Sequence, residues 1–95
     1  MFSRGPEMLR VVEARPDRVV LMWIPAATSG RIVRYEVFRA GNNPQMFTMV
    51  GQTPMGNFTD NNVQRGTTYF YYVAAVDAMG NYSPVSNMIS VAVPF

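Results

Sequence analysis

Residues 66–84 read GTTYFYYVAAVDAMGNYSP, and four aromatic rings stand in a row within them: Tyr69, Phe70, Tyr71 and Tyr72. β-Branched and aromatic side chains suit a pleated, half-buried surface. Successive side chains of a strand point to opposite faces. A strand over 68–77 therefore sends Tyr69, Tyr71, Val73 and Ala75 to one side and Phe70, Tyr72, Ala74 and Val76 to the other. The stretch DAMGN then supplies turn chemistry.

The same period of two runs outward from this stretch. VVLMWIP sets Val19, Leu21 and Trp23 against Val20, Met22 and Ile24, and VRYEVFR sets Tyr35 and Val37 against Arg34, Glu36 and Phe38. Turn-forming stretches separate the runs: ARPDR, PAATSG, AGNNPQ, TPMGN and NNVQRG. No stretch holds a helical period. The pattern predicts an all-β fold with seven short strands at about 8–14, 19–24, 33–40, 46–51, 57–60, 68–77 and 86–93.

Composition narrows the function classes. Ninety-five residues make one domain, 48% apolar and 15% charged. Cys and His are absent, and all eight cations are Arg. No imidazole base, thiolate or Lys amine exists, so triad and covalent chemistry have no starting material. Zinc lacks its preferred ligands. FTDNN and VDAMGN lack the spacing of a calcium loop, and Asp60 and Asp77 read better as caps of turn backbone. The expectation is no catalytic residue, no metal and no cofactor. The arginines, at positions 4, 10, 15, 18, 31, 34, 39 and 65, are scattered, unlike the stripe of a nucleic-acid binder. No apolar run reaches the ~20 residues of a membrane-spanning helix, so no membrane insertion is expected. Eight methionines, dispersed through strands and loops, read as gap fillers.

Nearly the whole chain resembles a fibronectin type III domain. The first half carries Pro6, Leu9, Val11, Ala14, Val19, Leu21, Trp23 and Pro25, and the next strand Ile32, Tyr35 and Val37. The second half carries Val63, Gly66, Thr67, Tyr69, Val73, Ala75, Asp77, Gly80, Ser83 and Ser86. Arg65 stands where the family often has Pro. The resemblance implies a seven-stranded, immunoglobulin-like antiparallel β-sandwich over residues 7–95, preceded by a linker at 1–6. It implies structural roles for Trp23, Tyr35 and Tyr69, with Tyr69 as the corner tyrosine whose hydroxyl meets backbone a few residues upstream. The ending AVDAMGNYSPVSN looks like the bacterial form of the module, found beside glycoside hydrolases and in surface proteins.

The implied function is that of a non-catalytic spacer and protein-interaction unit in a larger extracellular or surface protein. Its partners would be neighbouring domains of the parent chain or another protein. The rival is an accessory carbohydrate-binding module that stacks exposed rings on polysaccharide. Strand parity puts Phe38, Phe70 and Tyr72 on one outward face with Arg34 and Glu36. Arg34, Phe38, Phe70 and Tyr72 are therefore the candidate interaction face, with Arg34 expected to lie among the rings and Ala74 and Val76 to extend it.

Overall fold

A computed structural model describes all 95 residues, Met1–Phe95. Nine strands follow in order: β1 (Phe2–Arg4), β2 (Glu7–Arg15), β3 (Arg18–Ile24), β4 (Ala27–Thr28), β5 (Ile32–Ala40), β6 (Thr48–Thr53), β7 (Asn57–Asp60), β8 (Thr68–Asp77) and β9 (Ile89–Ala92). A three-stranded sheet, β2-β3-β7, packs on a four-stranded sheet, β6-β5-β8-β9, and every pairing is antiparallel. The seven strands expected from the sequence are present.

The inward residues are those the alternation names. Val19, Leu21 and Trp23 of β3, Tyr35 and Val37 of β5, and Tyr69, Tyr71, Val73 and Ala75 of β8 belong to one buried cluster between the sheets. Val91 and Val93 close it from the last strand and just beyond. Burying an aliphatic side chain of this size fully is worth ~1.5–3 kcal/mol, so this cluster supplies the main driving force for folding.

Three features depart from the expected pattern. Residues 1–6, expected as a linker, carry β1, which pairs with β4 through Phe2 and Thr28. Phe2 packs on the core, and Gly5 and Pro6 are buried. Gly5 lies so close to Pro84 that an added Cβ would stand 2.0 Å from the Pro84 carbonyl oxygen. No side chain fits there.

The last strand is shorter than expected: β9 begins at Ile89, three residues after the start the sequence suggests. Two serines replace the missing ladder. The backbone N–H of Ser83 donates to the Ala75 carbonyl (2.9 Å) while its Oγ accepts from the Ala75 N–H (2.8 Å). Ser86 does the same at Val73, at 2.8 and 2.9 Å. The two serines thus satisfy buried β8 backbone that the segment before β9 would otherwise strand.

Ala74 and Val76 face outward by parity, yet they are only 3% and 1% exposed. The segment after β8 folds back, and Tyr82 forms an isolated bridge with Val76. Glu36 lies opposite Ala74 on β5. The expected extension of the outward face is therefore already covered by this chain.

At the opposite edge, β2 breaks register between Glu7 and Arg10, and Met8 takes a left-handed φ of 52°. The break leaves Leu9 backbone without a strand partner. The Asn87 side chain fills both roles: its Oδ1 accepts from the Leu9 N–H (2.9 Å), and its Nδ2 donates to the Leu9 carbonyl (3.0 Å). One amide thereby ties the edges of the two sheets together.

Candidate functional site

The outer face of the four-stranded sheet holds the rings that parity directs there. Phe38 and Tyr72 are direct cross-strand partners on β5 and β8. Their rings stack with centroids 4.9 Å apart and planes 14° apart. Phe47, from the segment between β5 and β6, reaches back onto Tyr72 at 4.8 Å with a 57° tilt. Phe70 sits two residues before Tyr72 on the same face, opposite Ala40 and Ser90. All four rings are half-buried. Met49 lies across from Phe38 on β6 and is exposed. The patch is apolar and continuous over three strands. Phe47 was not singled out: the sequence places it inside the strand expected at 46–51, whereas β6 begins at Thr48 and leaves Phe47 just outside the ladder.

Arg34 does not join the rings. Its Nε donates to Glu36 Oε2 at 2.9 Å, and the Tyr82 hydroxyl donates to Glu36 Oε1 at 2.8 Å. Glu36 is only 5% exposed and spends both oxygens on these two donors. The bond to Glu36 raises the pKa of the Arg34 guanidinium and that of the Tyr82 hydroxyl. This cluster pins the β8–β9 connection onto the sheet. Asp77 holds the same connection from below: its Oδ1 accepts from the N–H groups of Met79 (2.9 Å) and Asn81 (2.8 Å). The Asn81 backbone bond keeps the Asp77 carboxyl below its ordinary range. The capping role expected for Asp77 is thus present.

The arginine that meets a ring is Arg39, whose guanidinium lies 4.8 Å from the centroid of Tyr69. Tyr69 itself accepts the Gln64 N–H at its hydroxyl, 2.9 Å away and five residues upstream. That is the corner the resemblance implied. Beside it, Asp60 Oδ2 accepts from Arg39 Nη1 (2.8 Å) and from the Tyr71 hydroxyl (2.7 Å). Asp60 Oδ1 accepts from the Asn62 N–H (3.1 Å), and Arg39 Nη1 also donates to the Asn62 carbonyl (2.9 Å). Asp60 therefore caps its turn, as expected, and also anchors an ion pair between β7 of one sheet and β5 of the other. Burial, reinforced by the bond to Asp60, pushes the Tyr71 hydroxyl far above its ordinary pKa.

At the other end of the core, Trp23 packs on Tyr35 with centroids 5.4 Å apart and a 60° tilt. The Tyr35 hydroxyl accepts the Ala26 N–H at 3.2 Å. The indole N–H of Trp23 is buried without a partner. Trp23, Tyr35 and Tyr69 thus all serve the framework. No three acidic side chains converge anywhere on the surface or inside.

The chain matches the fibronectin type III domain family over residues 4–92. It belongs to that family. An alpha-amylase of Niallia circulans is 32% identical over 89 residues, which is 94% of this chain and 6% of the amylase. Exoglucanase B of Cellulomonas fimi is 32% identical over 86 residues, or 90% of this chain and 7% of the exoglucanase. A crystal structure of titin domains superposes with a TM-score of 0.87 at 23% identity, covering 97% of this chain and 32% of that one. The titin likeness is one of fold. This fibronectin type III domain spans less than a tenth of the length of those two enzymes.

Proposed function

We propose that this fibronectin type III domain is a non-catalytic spacer and docking module of a larger extracellular protein. The observation that carries this reading is the placement of the chain ends. Met1 lies beside Ser29, where its carbonyl accepts the Ser29 N–H at 3.1 Å. Phe95 lies against Gly66, at the start of β8. The β5–β8 register puts these at opposite ends: Ile32 pairs with Asp77 at one, Ala40 with Phe70 at the other. The body between them extends 43 Å along its longest axis and only 23 and 18 Å across. Chain entering at one end and leaving at the other makes such a body a strut.

Docking falls to the face of Phe38, Phe47, Phe70 and Tyr72, and its occupant is a neighbouring domain of the parent chain. The relatives support that choice, since a module covering 6–7% of a long enzyme has neighbours on the same chain. Aromatic and Met side chains are favoured at interface centres. The bacterial polysaccharide-degrading relatives also support the extracellular setting.

The rival reading, a carbohydrate platform, draws on the names of those relatives. It needs ring faces open to a sugar. Here Phe38 and Tyr72 turn their faces to each other, and Phe47 occupies Tyr72 further. That geometry favours the protein partner. Small-angle scattering of the parent chain with and without residues 1–95 tests the spacer. Removal should shorten the particle by about the 43 Å of the module. An unchanged maximum dimension would refute the strut.

A further inference from the structure

Methionine is ordinarily an interior residue that fills irregular gaps. That expectation fails here at every position. All eight methionines are on the surface, from Met22 at 38% exposure to Met1 at 90%. None belongs to the buried core cluster.

Their placement has no side. Met1 and Met79 stand at the end where the chain enters, and Met55 lies in the turn leading to Gly56, whose carbonyl accepts the Trp23 N–H. Met46 lies in the turn between β5 and β6 at the far end. Met49 is on the outer face of the four-stranded sheet and Met22 on that of the three-stranded sheet. Met8 and Met88 flank the edge that Asn87 ties to Leu9. A docking surface gathers its apolar groups on one face. These residues point in every direction, so what they share is the chemistry of the thioether and not a common partner.

We propose that the surface methionines form a distributed oxidant-accepting coat, with hydrogen peroxide as the substrate class and methionine sulfoxide as the modification. A sulfur lone pair attacks one peroxide oxygen. An S–O bond forms, the O–O bond breaks, and the departing oxygen leaves as water after proton transfer. Sulfur gives up two electrons and peroxide takes them, so each methionine consumes one peroxide. The chain has no cysteine to compete for the oxidant. A sulfoxide is polar and would disrupt a core. On this fold it stays in water, and no contact of the inter-sheet cluster is lost.

The test treats the 95-residue chain with graded hydrogen peroxide, natively and in denaturant, followed by intact mass, peptide mapping and thermal melts. The native chain should take up eight oxygen atoms, one per methionine. Its rates should stay within a few-fold of the denatured chain, and its Tm should hold. A Leu21→Met variant supplies the contrast, because Leu21 is fully buried. That added thioether should react at least ~10-fold more slowly than the surface set in the native state. Native uptake that stalls short of the full set, a Tm that falls with each oxygen added, or a core thioether as reactive as the rest would overturn the proposal.

Discussion

Replacing Asp60 by Ala removes the acceptor on which three donors converge: Arg39, Tyr71 and the Asn62 N–H. The Tyr71 side chain is fully buried, so its hydroxyl has no water to turn to. The Arg39 side chain is 18% exposed, keeps its bond to the Asn62 carbonyl and keeps its stack on Tyr69. Breaking a buried ion pair from one side typically costs 3–5 kcal/mol, and an unsatisfied buried hydroxyl ~1–3 kcal/mol. These overlap, and the partial exposure of Arg39 softens the first. The expected loss is about 3 kcal/mol, which lowers the Tm of a domain this size by ~12–24 °C. Urea and thermal melts of Asp60→Ala measure it, with Tyr71→Phe beside it. Tyr71→Phe should cost clearly less, because it removes a donor while leaving Asp60 paired with Arg39. A loss below ~1 kcal/mol for Asp60→Ala would refute the reasoning, since the pair would then contribute no more than a surface ion pair.

Tyr69→Phe should destabilise by about 1–3 kcal/mol, because it leaves the Gln64 N–H without its acceptor; Tyr72→Phe should cost under ~0.5 kcal/mol, and denaturant melts compare the two. Ser86→Ala should cost about 1–3 kcal/mol by stranding the buried Val73 N–H, and faster amide exchange at Val73 checks the cause. Asp77→Ala should lower the Tm at neutral pH. The folded-state pKa of Asp77 is depressed, so its contribution is present above the unfolded carboxyl value of ~3.9 and is lost as pH falls through the folded one. Wild-type and variant melts should therefore converge in strong acid.

Much of the fold is legible in the sequence because alternation is a local property. Tyr69, Tyr71, Val73 and Ala75 are buried where the parity of one strand places them. The same rule contained a signal that reading by motif passed over. Arg39 shares the inward parity of Tyr35 and Val37, and Asp60 that of Phe58, so both charges must enter the sandwich and find partners. What parity cannot supply is the path of the chain outside the strands. Phe47 covers Tyr72 from just before β6, Tyr82 covers Val76 from a returning segment, and Phe2 packs from a stretch that reads as linker. Arg34 illustrates a second gap: its face is right, but an acid two residues along holds its guanidinium away from the rings. The methionines show the limit of composition, which counts side chains without placing them.

The central claim is that the face of Phe38, Phe47, Phe70 and Tyr72 docks a neighbouring domain of the same parent chain. Two-dimensional NMR of isotopically labelled residues 1–95, alone and joined to the adjoining domain, tests it most directly, with soluble oligosaccharides added in a parallel titration. The account predicts shifts centred on these four residues and on Met49 in the joined protein, and none with the sugars. Shifts confined to the residues beside the chain ends, or a response of the four rings to oligosaccharide alone, would contradict it.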